Sequence, residues 1–154
     1  TYGLNYIILR PTNNYGIGQY PEKLIPICVK HLRRGKKIRL HNAGEPVRNW
    51  LHSDDTAEAV VKIIESGKLD QIYNIAGGFE QKNIKTAIQI IDHYFDGKMG
   101  DVMSYLDLEF KRPGQDVRYA LNDEKLRKLG WSPKKIFWSE LPKIVKYYKS
   151  NFKW

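Results

Sequence analysis

Three basic residues stand where a chain could grip an anion. Lys23, Arg48 and Arg112 each lie at a loop or element end among Gly, Pro and Asn, where backbone amides can approach the same negative charge. An arginine presents a planar fork that a phosphate meets with two parallel hydrogen bonds. A lone surface arginine is ordinarily a solvated charge, but Arg-Pro-Gly-Gln-Asp at 112–116 joins a rigid turn to a charged head, which is costly for an idle loop. Other chemistries have little to work with. The sequence holds no G-x-x-x-x-G-K-[ST], H-E-x-x-H, G-x-S-x-G or G-x-G-x-x-G, and Gly16-Ile17-Gly18 runs into Pro21 rather than a third glycine. His31, His41, His52 and His93 lack metal-ligand spacing, so no metal site is expected. Asp54 and Asp55 are adjacent and point different ways on a helix, which suits the positive end of a helix dipole better than paired acid–base work.

The elements that must hold these residues follow from periodicity. Residues 5–10, NYIILR, form a β-rich run closed by Pro11, and PTNNYGIGQY reads as a loop by its Pro, Asn and Gly content. Leu24, Ile25, Cys28, Val29 and Leu32 predict a helix over 21–34 with Pro21 in its first turn. Residues 37–41 and 47–52, joined by NAGEP, suggest a hairpin. Ser53 is expected to cap a helix carrying Ala57, Val60, Val61 and Ile64 on its apolar face. A strand at 71–75 and a helix at 83–96 follow, the helix burying Ile84, Ala87, Ile88, Ile91 and Phe95. Strand and loop are expected over 101–119, and Asn122 is expected to cap a short helix that Gly130 stops. Ser139 should open a last helix whose face is Leu141, Ile144, Val145, Tyr148 and Phe152. Strands alternating with helices argue for an α/β architecture, read as one domain over 1–154.

Composition bounds the function. With 154 residues, 42% apolar and 28% charged, the chain has a globular composition, and about two-thirds of its unfolded surface can be buried. The single cysteine, Cys28, excludes an internal disulfide framework. Apolar runs are too short to span a bilayer and no charged-then-apolar signal segment opens the chain, so a cytoplasmic protein without a membrane partner is expected. The absence of an initial Met and the prompt strand-like segment lead us to expect part of a longer protein. The net charge of +9 calls for an acidic partner. The basic run Lys30, Arg33, Arg34, Lys36, Lys37 and Arg39 comes without any RNP, helix-turn-helix or KH signature, so nucleic acid is not the expected one.

Four ordered segments carry a family resemblance. NNYGIGQYPEKLIP at 13–26, RNWLHSDDTAEAV at 48–60, YNIAGGFEQKN at 73–83 and RPGQDVRYALNDEKLRKLGWSP at 112–133 resemble segments of the dTDP-glucose 4,6-dehydratase family. These are extended short-chain dehydrogenases/reductases within the NAD-dependent epimerase/dehydratase group. The resemblance implies a lyase using NAD, and the C-terminal, nucleotide-sugar-binding part of its fold with the last strands of a Rossmann-type parallel sheet. It implies that the glycine-rich dinucleotide motif and the catalytic Tyr-x-x-x-Lys, Asp and Glu belong to an N-terminal part outside this chain, so that the chain alone is inactive and no catalytic residue is assigned. Tyr94 to Lys98 matches the Tyr-x-x-x-Lys spacing at a helix end, and is read as chance.

Carried over by position, the resemblance implies substrate contacts from Asn13, Glu22, Lys23, Leu24, Arg48, Asn83, Arg112, Pro113, Gly114 and Gln115, and an NAD contact from Asn14. Arg39, Leu40 and His41 stand where the family has Pro-Ile-Tyr beside the base, Gln115 replaces a His and Lys111 an Asp, so Arg39 and His41 join the expected substrate wall. These departures fall in the base-recognition region and keep UDP- and CDP-sugars open. The implied ligand is a nucleotide-diphosphate sugar, dTDP-glucose first, and the implied assembly of the full enzyme is a homodimer. A related epimerase, decarboxylase or UDP-sugar dehydratase is the alternative, as is a stand-alone nucleotide-sugar-binding module.

Overall fold

A computed structural model describes residues 2–151. In chain order the strands and helices are β1 (Ile7–Pro11), β2 (Asn13–Tyr15), α1 (Leu24–Arg33), β3 (Ile38–Arg39), β4 (Val47–His52), α2 (Ser53–Ser66), β5 (Gln71–Ile75), β6 (Phe79–Lys82), α3 (Asn83–Tyr94), β7 (Leu106–Asp107), β8 (Arg118–Tyr119), α4 (Glu124–Arg127) and α5 (Phe137–Asn151). This is an α/β chain in which four of the five strand pairings are parallel. β1 and β5 pair in parallel, Ile7 opposite Gln71 through Pro11 opposite Ile75.

The centre is β4. Its Trp50–His52 end pairs with β2, its Val47–Arg48 end with β8, and antiparallel β6 covers Val47–Trp50. A strand has only two edges, so β2 and β8 lie end to end along one of them. That arrangement sets Asn13 opposite Trp50 and Tyr119 opposite Arg48. An Arg118–Glu80 ion pair, with contacts of 2.6 and 2.8 Å, bridges the strands flanking β4. The Arg118 guanidinium holds the Glu80 carboxyl below the usual carboxylate range. A depressed folded-state pKa stabilises above the unfolded value of about 4.3, and that contribution disappears as pH falls through the folded value. Glu80→Gln should therefore lower the denaturant midpoint at pH 7 and leave it unchanged in acid below both values.

Several expectations are corrected. The 37–41 and 47–52 segments form no hairpin: β3 pairs with the distant β7, and the link between β3 and β4 is a 3₁₀ turn at His41–Gly44 with left-handed Asn42 and Ala43. PTNNYG is not all loop, because β4 recruits Asn13–Tyr15 as a strand. The first helix starts at Leu24, Pro21 lying in a turn closed by Lys23 N–H donating to the Tyr20 carbonyl at 3.0 Å. In α2 the cap is His52, whose Nδ1 accepts from the Asp54 N–H, and the buried face is Asp55, Ala59 and Ile63. Val61 and Ile64 face outward because this helix carries apolar residues on two sides and only one meets β2 and β4. The last helix begins at Phe137, two residues before Ser139, since Phe137 is drawn into an aromatic cluster with Tyr15, Trp50 and Phe79. Phe152 lies outside the described residues. Asn122 does cap its helix, its Oδ1 accepting from the Glu124 N–H at 2.8 Å, although Asp123 is the last residue before the helix.

Two cores result. One joins α1, α3 and α5 around Ile25, Val29, Ile90, Leu141 and Val145, and the other packs Ala59, Ile63, Leu126 and Trp131 on Tyr73 and Ile75. Cys28 is completely buried in the first, and burial pushes its thiol well above the ordinary value. Thiol reagents act on the thiolate, so Cys28 should stay unlabelled in native protein and react within minutes once denatured. No described helix is long and apolar enough to cross a membrane.

Candidate functional site

The end-to-end placement of β2 and β8 opens a cavity of about 500 Å³ beside β4. Pro11 to Asn14 form one wall, Gln19, Tyr20, Lys23 and Leu24 a second, and Arg48, Trp50, Asn83 and Tyr119 the rest. A smaller cavity of about 210 Å³ shares Leu24 and Asn83 with it and is walled by Glu22, Arg39, Leu40, His41 and Gln115 among others. Together they fall within the size range of small-molecule sites.

Ten of the thirteen expected residues wall this composite groove: Asn13, Asn14, Lys23 and Arg48 in the larger part, Glu22, Arg39, His41 and Gln115 in the smaller, and Leu24 and Asn83 in both. Arg112, Pro113 and Gly114 wall neither part. Their loop is held beside it by Asn42, whose Oδ1 accepts from the Arg112 N–H at 2.8 Å and whose Nδ2 donates to the Arg112 carbonyl and to Gln115 Oε1, each at 3.1 Å. Asn42 went unnoticed in the sequence. The signal was the asparagine in NAGEP, a residue type that tolerates the left-handed conformation it adopts here, φ 51°. Thr12, Gln19, Tyr20, Trp50 and Tyr119 are further wall residues that sequence reasoning missed.

The positive end of the groove has a clear construction. Arg48 anchors one nitrogen, Nη1, to the carbonyls of Val47 (2.8 Å) and Asp116 (3.1 Å), and no carboxylate pairs with it among the described residues. The rest of its fork has no protein acceptor among the described residues. Lys23 meets Glu22 at 3.1 Å, but both are more than half exposed, so solvent screens the pair. Lys23 also precedes α1, whose start has no side-chain cap and no acidic residue in its first turn. Uncapped N–H groups and two cations face the same region.

At the smaller end, His41 packs on Phe110 with ring centroids 5.0 Å apart, and the Arg39 guanidinium carbon lies 5.4 Å from the same ring. Arg39 Nε meets Asp107 Oδ2 at 3.2 Å and, with the Glu109 N–H, holds that carboxyl below its usual range. Asn14 is tightly held: its Nδ2 donates to the Thr12 carbonyl and its Oδ1 accepts from the Thr56 hydroxyl.

The Asp54–Asp55 pair divides. Asp54 bonds Lys135, which lowers its carboxyl pKa, whereas buried Asp55 accepts from the N–H groups of Lys134 and Lys135 at 2.9 and 3.1 Å and ties α2 to the approach of α5. Tyr94 ends α3 while Asn83 begins it, about 16 Å apart at 1.5 Å per residue, so the Tyr94–Lys98 spacing lies away from the groove.

Comparison with known proteins places this geometry. The model of the NAD dependent epimerase/dehydratase family matches residues 1–76. Over the whole chain, the sequence is 39% identical to dTDP-glucose 4,6-dehydratase 1 of Escherichia coli K12. The chain is thus similar to the NAD-dependent epimerase/dehydratase family over its first 76 residues and to a dTDP-glucose 4,6-dehydratase along its whole length. It spans 44% of that relative's length, under half. The family fold is matched closely in solved structures. A dTDP-glucose 4,6-dehydratase from Streptomyces venezuelae with NAD bound superposes with a TM-score of 0.87 and 36% identity, over 98% of this chain and 46% of that one. The Bacillus anthracis dTDP-glucose 4,6-dehydratase in complex with NAD gives 0.82 and 35%, over 96% and 46%.

Proposed function

We propose that this chain is the nucleotide-sugar-binding part of an NAD-dependent dTDP-glucose 4,6-dehydratase. The observation that carries the reading is the convergence, on one groove beside β4, of ten residues drawn from segments spread between positions 13 and 115. Arg48, Lys23 and the uncapped start of α1 take the diphosphate. The smaller cavity with Arg39, His41 and Gln115 takes the base, and Asn13 and Asn83 lie on the sugar side. The remaining positive charge needs no ligand, because a diphosphate requires only two or three directed cations.

NAD, where bound, supplies the hydride acceptor for oxidation of the sugar. Asn14 fits a place beside it: its carbonyl and one amide hydrogen are engaged within the fold, leaving the second amide hydrogen to donate outward. The chain's own role is to bind and orient. The Tyr94–Lys98 spacing lies away from this groove, and we expect the chain alone to show no turnover of dTDP-glucose with NAD.

A panel of dTDP, UDP and CDP, each with and without a sugar, tests the reading by thermal shift. A real site stabilises by RT ln(1 + [L]/Kd), about 2.7 kcal/mol at a hundredfold excess over Kd, and the dTDP compounds should give the largest shift. A flat response to every nucleotide would overturn it. A larger response to UDP or CDP would reassign the base.

A further inference from the structure

One side chain ties the turn at His41–Gly44 to the loop that carries Gln115. Asn42 Oδ1 accepts from the Arg112 N–H at 2.8 Å, and its Nδ2 donates to the Arg112 carbonyl and to Gln115 Oε1, each at 3.1 Å. A backbone N–H can only donate and a backbone carbonyl can only accept, so both ends of the Asn42 amide are assigned by the main chain. The Asn42 nitrogen in turn assigns the next amide: Gln115 must give it the oxygen and turn its own nitrogen elsewhere.

Gln115 walls the smaller cavity of about 210 Å³ and Asn42 does not, so the Gln115 oxygen is directed behind the wall. Gln115 Nε2 has no acceptor among the described residues, and it keeps accessible surface, unlike the buried unpaired atoms of Asn13, Gln19, Trp50, Asp123 and Trp131. Leu24 and Asn83 wall both cavities and mark their junction, whereas Gln115 walls only the smaller one. A base whose diphosphate lies at Arg48 enters past that junction with its glycosidic side towards the larger cavity. Its far edge, at ring position 4, then lies on the side of Gln115. Thymine and uracil carry a carbonyl oxygen there, which accepts, and cytosine carries an amino group, which donates. An amide nitrogen can pair with the carbonyl and not with the amine.

We infer, on the nucleotide-sugar reading, that Asn42 sets base specificity: by fixing Gln115 as a donor it makes the smaller cavity favour a 4-carbonyl base over a 4-amino base. Asn42 acts through Gln115 and is a positioning residue. Glu22, Arg39, His41 and Asn83 also wall this cavity, and none of them bonds the Asn42 side chain, so a change at Asn42 reports on the Gln115 amide.

The test is calorimetric titration of the full chain with dUDP and dCDP, which share sugar and diphosphate and differ only along the base edge. Wild type should bind dUDP about tenfold more tightly than dCDP, the difference expected for one hydrogen bond made or refused. In Asn42→Asp, aspartate tolerates the left-handed conformation at φ 51° and keeps an oxygen for the Arg112 N–H. Its second oxygen stands where the amide nitrogen stood, so Gln115 turns its nitrogen to it and its oxygen to the cavity, and the preference should reverse towards dCDP. Gln115→Leu, which leaves Asn42 intact, should bring the two affinities together. A wild type that binds both equally, favours dCDP, or binds dTDP and neither of the two overturns this inference alone. An unchanged preference in either variant does the same, as does an equal weakening of both ligands in Asn42→Asp, which marks a purely structural hold on the loop. Wild-type protein that binds none of dTDP, dUDP and dCDP sinks the nucleotide-sugar reading with it.

Discussion

Alanine at Gly77 should cost about 3 kcal/mol or more of stability, a large share of the roughly 5–15 kcal/mol that holds a domain folded. A Cβ at this position would stand 1.7 Å from the Trp50 carbonyl oxygen, 2.5 Å from its carbon and 2.8 Å from Leu51 Cα. All three atoms are backbone of β4, which is paired along both edges and cannot give way. Gly77 is held there by its N–H donating to Asn49 Oδ1 at 2.9 Å, and the same oxygen accepts from the Thr12 hydroxyl at 3.1 Å. The chain leaving β5 thus crosses against β4 at the strand that carries Arg48 and Trp50. Urea denaturation of Gly77→Ala and of Gly100→Ala checks this, since a Cβ at Gly100 meets nothing within 4 Å and should change stability by no more than about 0.5 kcal/mol. Wild-type stability in Gly77→Ala would contradict the close approach.

The second large effect is on binding. Arg48→Met should weaken affinity for a nucleoside diphosphate between about tenfold and a hundredfold, the range for charge-assisted hydrogen bonds of roughly 1.5–3 kcal/mol. The loop that Arg48 touches through the Asp116 carbonyl should stay in place. It is independently fixed by the Val47 N–H donating to the Val117 carbonyl at 2.8 Å and by the β4–β8 pairing. Affinity should therefore fall with little change in melting temperature of the free protein. Arg48→Lys should recover only part of the loss, because an ammonium restores the charge without the fork. Equal binding by wild type and Arg48→Met would remove Arg48 from the diphosphate site.

Elements whose pattern is local were legible. The helices near 24–33, 53–66 and 83–94 and the strand at 71–75 followed from apolar spacing, because one buried face and a stop signal fix a helix or strand without reference to distant residues. Failures came where a remote partner decides. The turn at His41–Gly44 looked like a hairpin turn, yet Gly44 packs so closely on Ile84 that an added Cβ would lie 2.8 Å from its backbone nitrogen, and the flanking strands pair elsewhere. The stripe on α2 was misjudged because Ala59 and Ile63 compete with Val61 and Ile64, and only the position of β2 and β4 selects between them.

The candidate site shows the same division. Residue types at 13–26, 48–60, 73–83 and 112–133 sufficed to suggest the family and to name most of the groove's charged walls, since side-chain chemistry is written in the sequence. Wall residues such as Trp50 and Gln19 were passed over because a tryptophan in a strand and a glutamine in a loop are ordinary, and only the fold sets them in the groove. The sequence by itself determined which charges and donors are present and which local elements carry them. The tertiary structure alone decided which of them meet, because the sharing of one edge of β4 by β2 and β8 joins residues far apart in the chain, and no local periodicity records such a pairing.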